Sequence, residues 1–230
     1  MKILCSICAR GNSKGLRNKN LKKLNGKSLL ARNIELAKKT KLFDKIVCSS
    51  ESVKILNVAK KYKVDLLIKR PSNLSRDKTS KLAAIKHLFK SSENYFNYKF
   101  DLIVDLDVSA PLKQSSDIKK CINIIKKEKT FRNLVTLSPS RKNPYFNMVE
   151  IDNKGKLKLV KSNKKITARQ QAPKVYDVNA GIYAWNRLGI KKNKHIINKN
   201  TLFHITSHKT SIDIDTIDDF KLVKYFQKNK

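Results

Sequence analysis

Lys2-Ile3-Leu4-Cys5-Ser6-Ile7-Cys8-Ala9-Arg10-Gly11-Asn12-Ser13-Lys14-Gly15-Leu16-Arg17-Asn18-Lys19-Asn20 carries a short apolar run into a cationic, glycine-bearing turn. The chain holds six glycines, and Gly11 and Gly15 both fall in this turn. Glycine lets backbone N–H groups come close to a ligand, and Arg10, Lys14 and Lys19 surround the turn with positive charge. A strand leading into such a loop is the form a phosphate cradle takes in α/β nucleotide-binding proteins. A nucleotide is therefore the first ligand to consider. The spacing matches neither G-x-x-x-x-G-K-[ST] nor G-x-G-x-x-G, which weakens ATPase and dehydrogenase readings.

Outward from this loop, strand and helix patterns alternate. Residues 3–9, 45–50, 64–68 and 100–106 read as strands; residues 29–39, 51–62, 79–90 and 116–127 carry helical stripes. That rhythm predicts a three-layer α/β/α, Rossmann-like fold with a mostly parallel sheet. From about residue 133 the pattern shortens into strands 134–138, 145–151 and 157–161, with a turn at Asn153-x-Gly155. These read as a small hairpin lobe, about 133–169, within a single domain of residues 1–230. A strand at 178–185 returns to the sheet, and a helix closes the pattern from about 216 to 226.

Composition narrows the classes. At 230 residues and 40% hydrophobic content the chain suits one α/β domain with a real core. No run approaches the ~20 apolar residues of a membrane span, and no signal peptide is recognisable, so a cytoplasmic location is expected. Cys5 and Cys8 form a C-x-x-C, but on a strand residues three apart point to opposite faces, and no second pair completes a zinc site. The four histidines show no triad spacing and read as structural. The 52 Lys and Arg against 18 Asp and Glu give +34, and only nine of the 52 are arginine. Such a charge raises nucleic-acid binding as an alternative. The lysines are nevertheless spread along the whole chain without a nucleic-acid motif, as on a solvated surface that favours anionic substrates.

Open parallel sheets bind ligands at the carboxyl ends of their strands. Three polar groups fall there besides the loop: Lys69-Arg70-Pro71, Asp105-Leu106-Asp107 and Asp213-Ile214-Asp215. In the last of these, an extended backbone would point both carboxylates the same way. Two like charges on one face repel unless a divalent cation sits between or beside them, and Mg²⁺ with substrate phosphates is the usual nucleotide arrangement. The alternative is a solvated edge that caps the following helix. Asp107, together with the glycine loop, favours the metal.

Residues 9–16 with Lys19-Asn20 resemble the N-terminal signature of the acylneuraminate (CMP-sialic acid) cytidylyltransferases. The resemblance continues through Lys69-Arg70-Pro71, Ser109-Ala110-Pro111-Leu112, Arg169-Gln170-Gln171-Ala172-Pro173, Asn179-Ala180-Gly181-Ile182-Tyr183 and Ile212-Asp213-Ile214-Asp215. Within the family, residues 143–150 and 172–177 look most like the branch that activates legionaminic acid.

The resemblance implies a nucleotide-diphospho-sugar transferase fold and a reaction: CTP and a nine-carbon keto-acid sugar give a CMP-sugar and pyrophosphate, with Mg²⁺ (or Mn²⁺) required. It assigns Arg10, Gly11, Asn12, Ser13 and Lys19 to the triphosphate, and Asn20, Arg70 and Ser80 to the nucleoside pocket. Asp213 and Asp215 would bind the metal, and Asp107 the metal or the sugar. Arg169, Gln170 and Asn179 would face the sugar, where an arginine suits its carboxylate. The hairpin lobe would form a homodimer. Pseudaminic and 3-deoxy-octulosonic acids remain alternative substrates. The sequence departs from the family pattern at Asn12 (commonly glycine), Arg17 (often proline), Lys113 (commonly arginine) and Gly181 (commonly serine), which bears on sugar selection.

Overall fold

The computed structural model describes residues 1–11, 15–76, 78–130, 132–162 and 165–228. Strand β1 (Ile3–Cys8) is followed by a ribbon of β2 (Lys23–Leu24) and β3 (Lys27–Ser28). Asn25 and Gly26 turn this ribbon with φ of 52° and 78°, the paired positive values that a two-residue hairpin requires. Then come α1 (Leu29–Thr40), β4 (Lys45–Ser50), α2 (Val53–Lys61), β5 (Leu66–Lys69), α3 (Lys81–Phe96) and β6 (Leu102–Leu106). The second half holds α4 (Ser115–Ile125), β7 (Asn133–Pro139), β8 (Val149–Ile151), β9 (Leu157–Leu159), β10 (Tyr176–Asn186), α5 (Arg187–Lys192), β11 (Thr201–Ile205) and α6 (Ile217–Lys228).

Seven strands form one sheet in the order β11-β7-β10-β6-β1-β4-β5. Only β10 runs against its neighbours; every other pairing is parallel. The expected α/β architecture with a mostly parallel sheet is thus the one present. β1 and β6 lie at the centre and are buried on both faces, which explains their unbroken apolar runs. On one face Cys5, Ile7 and Val104 pack with α1, α2, α4 and α6; on the other Leu4, Ile103 and Trp185 pack with α3 and α5. Cys5 joins the first cluster and Cys8 packs against the second, so the C-x-x-C is split across the sheet.

Two expectations need correction. Residues 134–138 were assigned to the hairpin lobe, but they belong to β7, which pairs with β10 and β11 inside the main sheet. Among the described residues of that stretch, the pair standing apart from the main sheet is β8 with β9, which is antiparallel. β11 and α5 lie where the sequence pattern showed no element; β11 is an edge strand, and its His204 ring lies 3.0 Å from Asp117. No described helix is long and apolar enough to cross a membrane.

Because β1, β4, β5 and β6 are parallel, their carboxyl ends share one rim. β10 runs the other way, so its residues 179–181 reach that rim from the opposite direction, with the Gly181 carbonyl accepting from the Asp107 N–H.

Candidate active site

The glycine loop leaves β1 under the control of three side chains. Arg70, 4% exposed, donates from Nη2 to the Ala9 carbonyl at 2.7 Å and to Glu51 Oε2 at 3.0 Å. The other Glu51 oxygen accepts the Gly11 N–H at 2.7 Å, and Asn20 Nδ2 donates to the Arg10 carbonyl at 2.8 Å. Burial pushes the Glu51 carboxyl up, but the N–H donors of its own backbone and Gly11, with Arg70, outweigh it and hold the group below its ordinary value. Gly11 thus spends its N–H on the protein rather than keeping it for a ligand. Its role is packing: a Cβ there would stand 2.8 Å from Ser52 Cβ.

Gly15 is tighter still. A Cβ on it would stand 2.2 Å from the Asp215 carbonyl oxygen, so the loop touches the segment before α6 backbone to backbone. That segment is seated by Ile214, which is fully buried in the core and donates its N–H to the Ser109 carbonyl at 2.9 Å. Thr216 and Asp219 then cap α6 reciprocally: Asp219 Oδ2 accepts the Thr216 N–H, and Thr216 Oγ1 accepts the Asp219 N–H. With Ile214 pinned inward, its two acidic neighbours face the rim.

Those neighbours differ. Asp215 is exposed and its Oδ1 accepts from Lys19 Nζ at 2.8 Å. Asp213 is largely buried; Oδ2 accepts the Ala180 N–H at 3.1 Å, while Oδ1 is buried without a partner among the described residues. Burial, with Asp107 and Asp215 adding to it against the Ala180 hydrogen bond, raises the Asp213 carboxyl to about 6. An orphaned carboxylate oxygen beside a second carboxylate suits a hard divalent cation, which takes oxygen donors. Among the described residues no group of three or more His, Cys, Asp or Glu could hold a metal. The donor set thus fits a cation completed by substrate oxygens, not one closed in by protein.

Arg10, Lys19, Asn20, Arg70, Ser80, Asp107, Asp213 and Asp215 line one cavity of about 420 Å³. Ser80 also caps α3, its Oγ accepting from the Ala83 N–H at 3.2 Å. Cationic side chains and carboxylates line this cavity together, with Lys19 beside Asp215 and Lys81 beside Asp107. Such an arrangement can hold a polyphosphate against a metal and neutralise charge developing on phosphorus oxygens.

Residues 4–229 match the family model described as Cytidylyltransferase. The chain belongs to the cytidylyltransferase family. It is a nucleotidyltransferase. It is 44% identical over 224 residues to the CMP-N,N'-diacetyllegionaminic acid synthase of Campylobacter jejuni, covering 97% of this chain and 94% of the relative. It is 41% identical over 228 residues to the post-translational flagellin modification protein B of Campylobacter coli, covering 99% and 96%. The N-acylneuraminate cytidylyltransferase of Escherichia coli is 29% identical over 229 residues, or 100% of this chain and 53% of that one. Among solved structures, CMP:2-keto-3-deoxy-manno-octonic acid synthetase complexed with CTP superposes with a TM-score of 0.73 over 100% of this chain and 99% of that one. At 13% identity that likeness concerns the fold.

Of the other expected residues of this cytidylyltransferase, Gly11, Arg169, Gln170 and Asn179 do not line the cavity. Asn12 and Ser13 lie outside the described residues. Arg169 and Gln170 sit in an exposed turn, and Arg169 Nη2 donates to the Arg141 carbonyl. Asn179 is buried with its side chain engaged internally: Oδ1 accepts from Thr136 and Gly181, and Nδ2 donates to Thr206. Lys113, in place of the common arginine, is buried too. Its ammonium donates to Asn33 Oδ1, the Asp107 carbonyl and the Ala110 carbonyl, so it ties the turn after β6 to α1. Burial lowers it to about 8 despite the carboxylates nearby.

Two participants escaped the sequence reading, Glu51 and Lys81. Lys81 lines the cavity between Asp107 at 2.5 Å and Asp105 at 3.1 Å. A signal existed. Lys81 opens α3, whose first turn holds no acidic residue, and a lysine at a helix N-terminus opposes the helix dipole. A lysine there gains from an acidic partner elsewhere in the fold, and the two Asp of β6 and its following turn provide it.

Proposed function

We propose that this chain transfers CMP from CTP to the anomeric hydroxyl of a nonulosonic acid of the legionaminic or N-acetylneuraminic type, releasing pyrophosphate. The observation that carries the reading is the cavity in which the cationic loop of β1 faces Asp213 and Asp215. The 44% identity to a CMP-N,N'-diacetyllegionaminic acid synthase supports the legionaminic type. The name of the flagellin modification relative supports a role in surface or flagellar glycan synthesis.

In this reading Arg10 and Lys19 hold the triphosphate, and Asn20, Arg70 and Ser80 border the nucleoside. The sugar's anomeric oxygen attacks the α-phosphorus; the bond to the β-phosphate oxygen breaks, and the hydroxyl proton is lost. Asp213 and Asp215 would hold Mg²⁺, which neutralises phosphate charge in such transfers. Lys19, already beside Asp215, bridges the two halves of the site. The chemistry is mostly positioning and charge neutralisation. The availability of CTP favours the cytoplasm as the place of action.

The test is a panel. Purified protein with CTP and Mg²⁺ is given legionaminic, N-acetylneuraminic, pseudaminic or 3-deoxy-octulosonic acid, and pyrophosphate and CMP-sugar are followed together. One pyrophosphate per CMP-sugar is expected, fastest with the diacetylated legionaminic acid. Release with none of the four overturns the reading.

The β8–β9 hairpin supports a second element of the reading, a homodimer. Met148, Val149, Ile151, Leu157, Leu159 and Val160 are exposed together on and beside it. Apolar residues gathered in this way mark an interaction surface. Light scattering should give twice the 26.4 kDa chain mass. Ile151→Asp with Leu157→Asp should return it to the single-chain mass. An unchanged mass in that variant would remove the hairpin from the interface.

A further inference from the structure

Lys81 is tied to the cavity wall by two carboxylates and an aromatic ring. Its ammonium lies 2.5 Å from Asp107 Oδ2, 3.1 Å from Asp105 Oδ2 and 4.1 Å from the centre of the Tyr183 ring. The Asp107 contact is a hydrogen bond, the Asp105 contact an ion pair and the ring contact a cation–π one. Asp105 is fully buried and also accepts from Ser6 Oγ at 2.5 Å. Asp107 is different, because it lines the cavity. Its Oδ1 accepts the Ser109 N–H and Oγ–H, each at 2.8 Å, and its Oδ2 accepts Lys81. An ionised carboxylate has about four lone-pair sites, so one acceptor position remains for a ligand.

We propose that Lys81 is a positioning residue that fixes Asp107 as a hydrogen-bond acceptor for the acceptor sugar, so that this wall selects a neutral O–H or N–H donor and rejects the sugar's carboxylate. The inference rests on the sugar-acid reading above. The charge balance carries its selectivity. Two carboxylates share one ammonium here, and Asp213 lines the same cavity. An anionic substituent would meet repulsion, whereas a hydroxyl or acylamino N–H would gain a charge-assisted hydrogen bond. Facing the pair are Asp105 on β6, Cys8 on β1, Tyr183 on β10, Lys113 in the following turn and Asp213 before α6. The Lys113 ammonium is turned onto carbonyl and amide oxygens and supplies no competing donor to the Asp107 carboxylate. Burial alone would raise the Asp107 carboxyl; the Lys81 charge and the Ser109 donors outweigh it and hold it below the ordinary carboxylate range.

The experiment compares the parent with Lys81→Gln, Lys81→Arg and Asp107→Asn. Lys81→Gln should raise the KM for sugar about tenfold or more, the loss of one charge-assisted hydrogen bond, and leave the KM for CTP within about twofold. Lys81→Arg should recover most of that loss. Carboxylate ¹³C titration without substrates should show Asp107 ionised throughout the working range in the parent and protonating at a higher pH in Lys81→Gln. Equal rises in both KM values, or an unchanged KM for sugar, would overturn the proposal. Should the single variant not fold, Lys81→Gln with Asp105→Asn removes one charge of each sign, and the same KM split is expected of it. If the parent turns over none of the four sugars, the functional reading fails alone; the titration still decides Lys81, and an unmoved Asp107 rejects its role.

Discussion

Asp213→Asn is expected to slow cytidylyl transfer by about a thousandfold while the protein stays folded. The change removes a carboxylate whose Oδ1 is buried without a partner and which faces the same cavity as Asp215. Stability should move the other way. Burial raises the Asp213 carboxyl from the ordinary 3.8 to about 6 in the folded protein. Between those values the folded state binds the extra proton, so stability falls as pH rises through this window, and the penalty persists above it. A displacement of that size is worth ~3 kcal/mol. The asparagine should therefore match or exceed the parent in urea resistance at pH 7.5, and the difference should shrink toward pH 4. Mg²⁺ should stabilise the parent more at pH 7.5 than at pH 5, and the variant little at either. A variant that keeps the parental turnover would remove Asp213 from the chemistry.

Gly15→Ala should be nearly as damaging for a different reason. The added carbon would stand 2.2 Å from the Asp215 carbonyl oxygen, far inside van der Waals contact, and the obstacle is backbone rather than a movable side-chain end. Either the loop or the segment before α6 must shift, and each carries part of the site. A misplacement of about 1 Å is enough to cost on the order of a hundredfold in rate. Overpacking of this kind also costs ~1–3 kcal/mol of stability. Steady-state kinetics with a urea melt separates the two effects. A variant with parental KM for CTP and parental midpoint would show that the two backbones have room to part.

The central sheet was readable because β1 and β6 are buried on both faces and so appear as continuous apolar runs. The Asp213-Ile214-Asp215 segment was readable too, since its alternation survives folding: Ile214 goes into the core and the acids go to the rim. β7 was misassigned because its neighbours come from strands later in the chain, and a short apolar run looks alike in a hairpin or a sheet. The braces were hidden for a related reason. Glu51 meets Gly11 across 40 residues and Lys81 meets Asp107 across 26. Local spacing names neither partner, even where the place of Lys81 at the start of α3 hints that one is present. Asn179 shows the converse, because a polar residue expected at the sugar turns out to be spent inside the fold.

The contact of Lys19 with Asp215 spans 196 residues. A ribosome adding roughly 5–20 residues per second exports the loop roughly 10–40 s before its other half exists. Once residue 106 is made the growing chain can pair β1 with β4 and β6, yet it still lacks Asp213 and Asp215. A product cut short before residue 213 would keep the central strands without the carboxylates proposed to hold the metal. On the proposed assignment, incomplete copies of this protein would not turn over CTP.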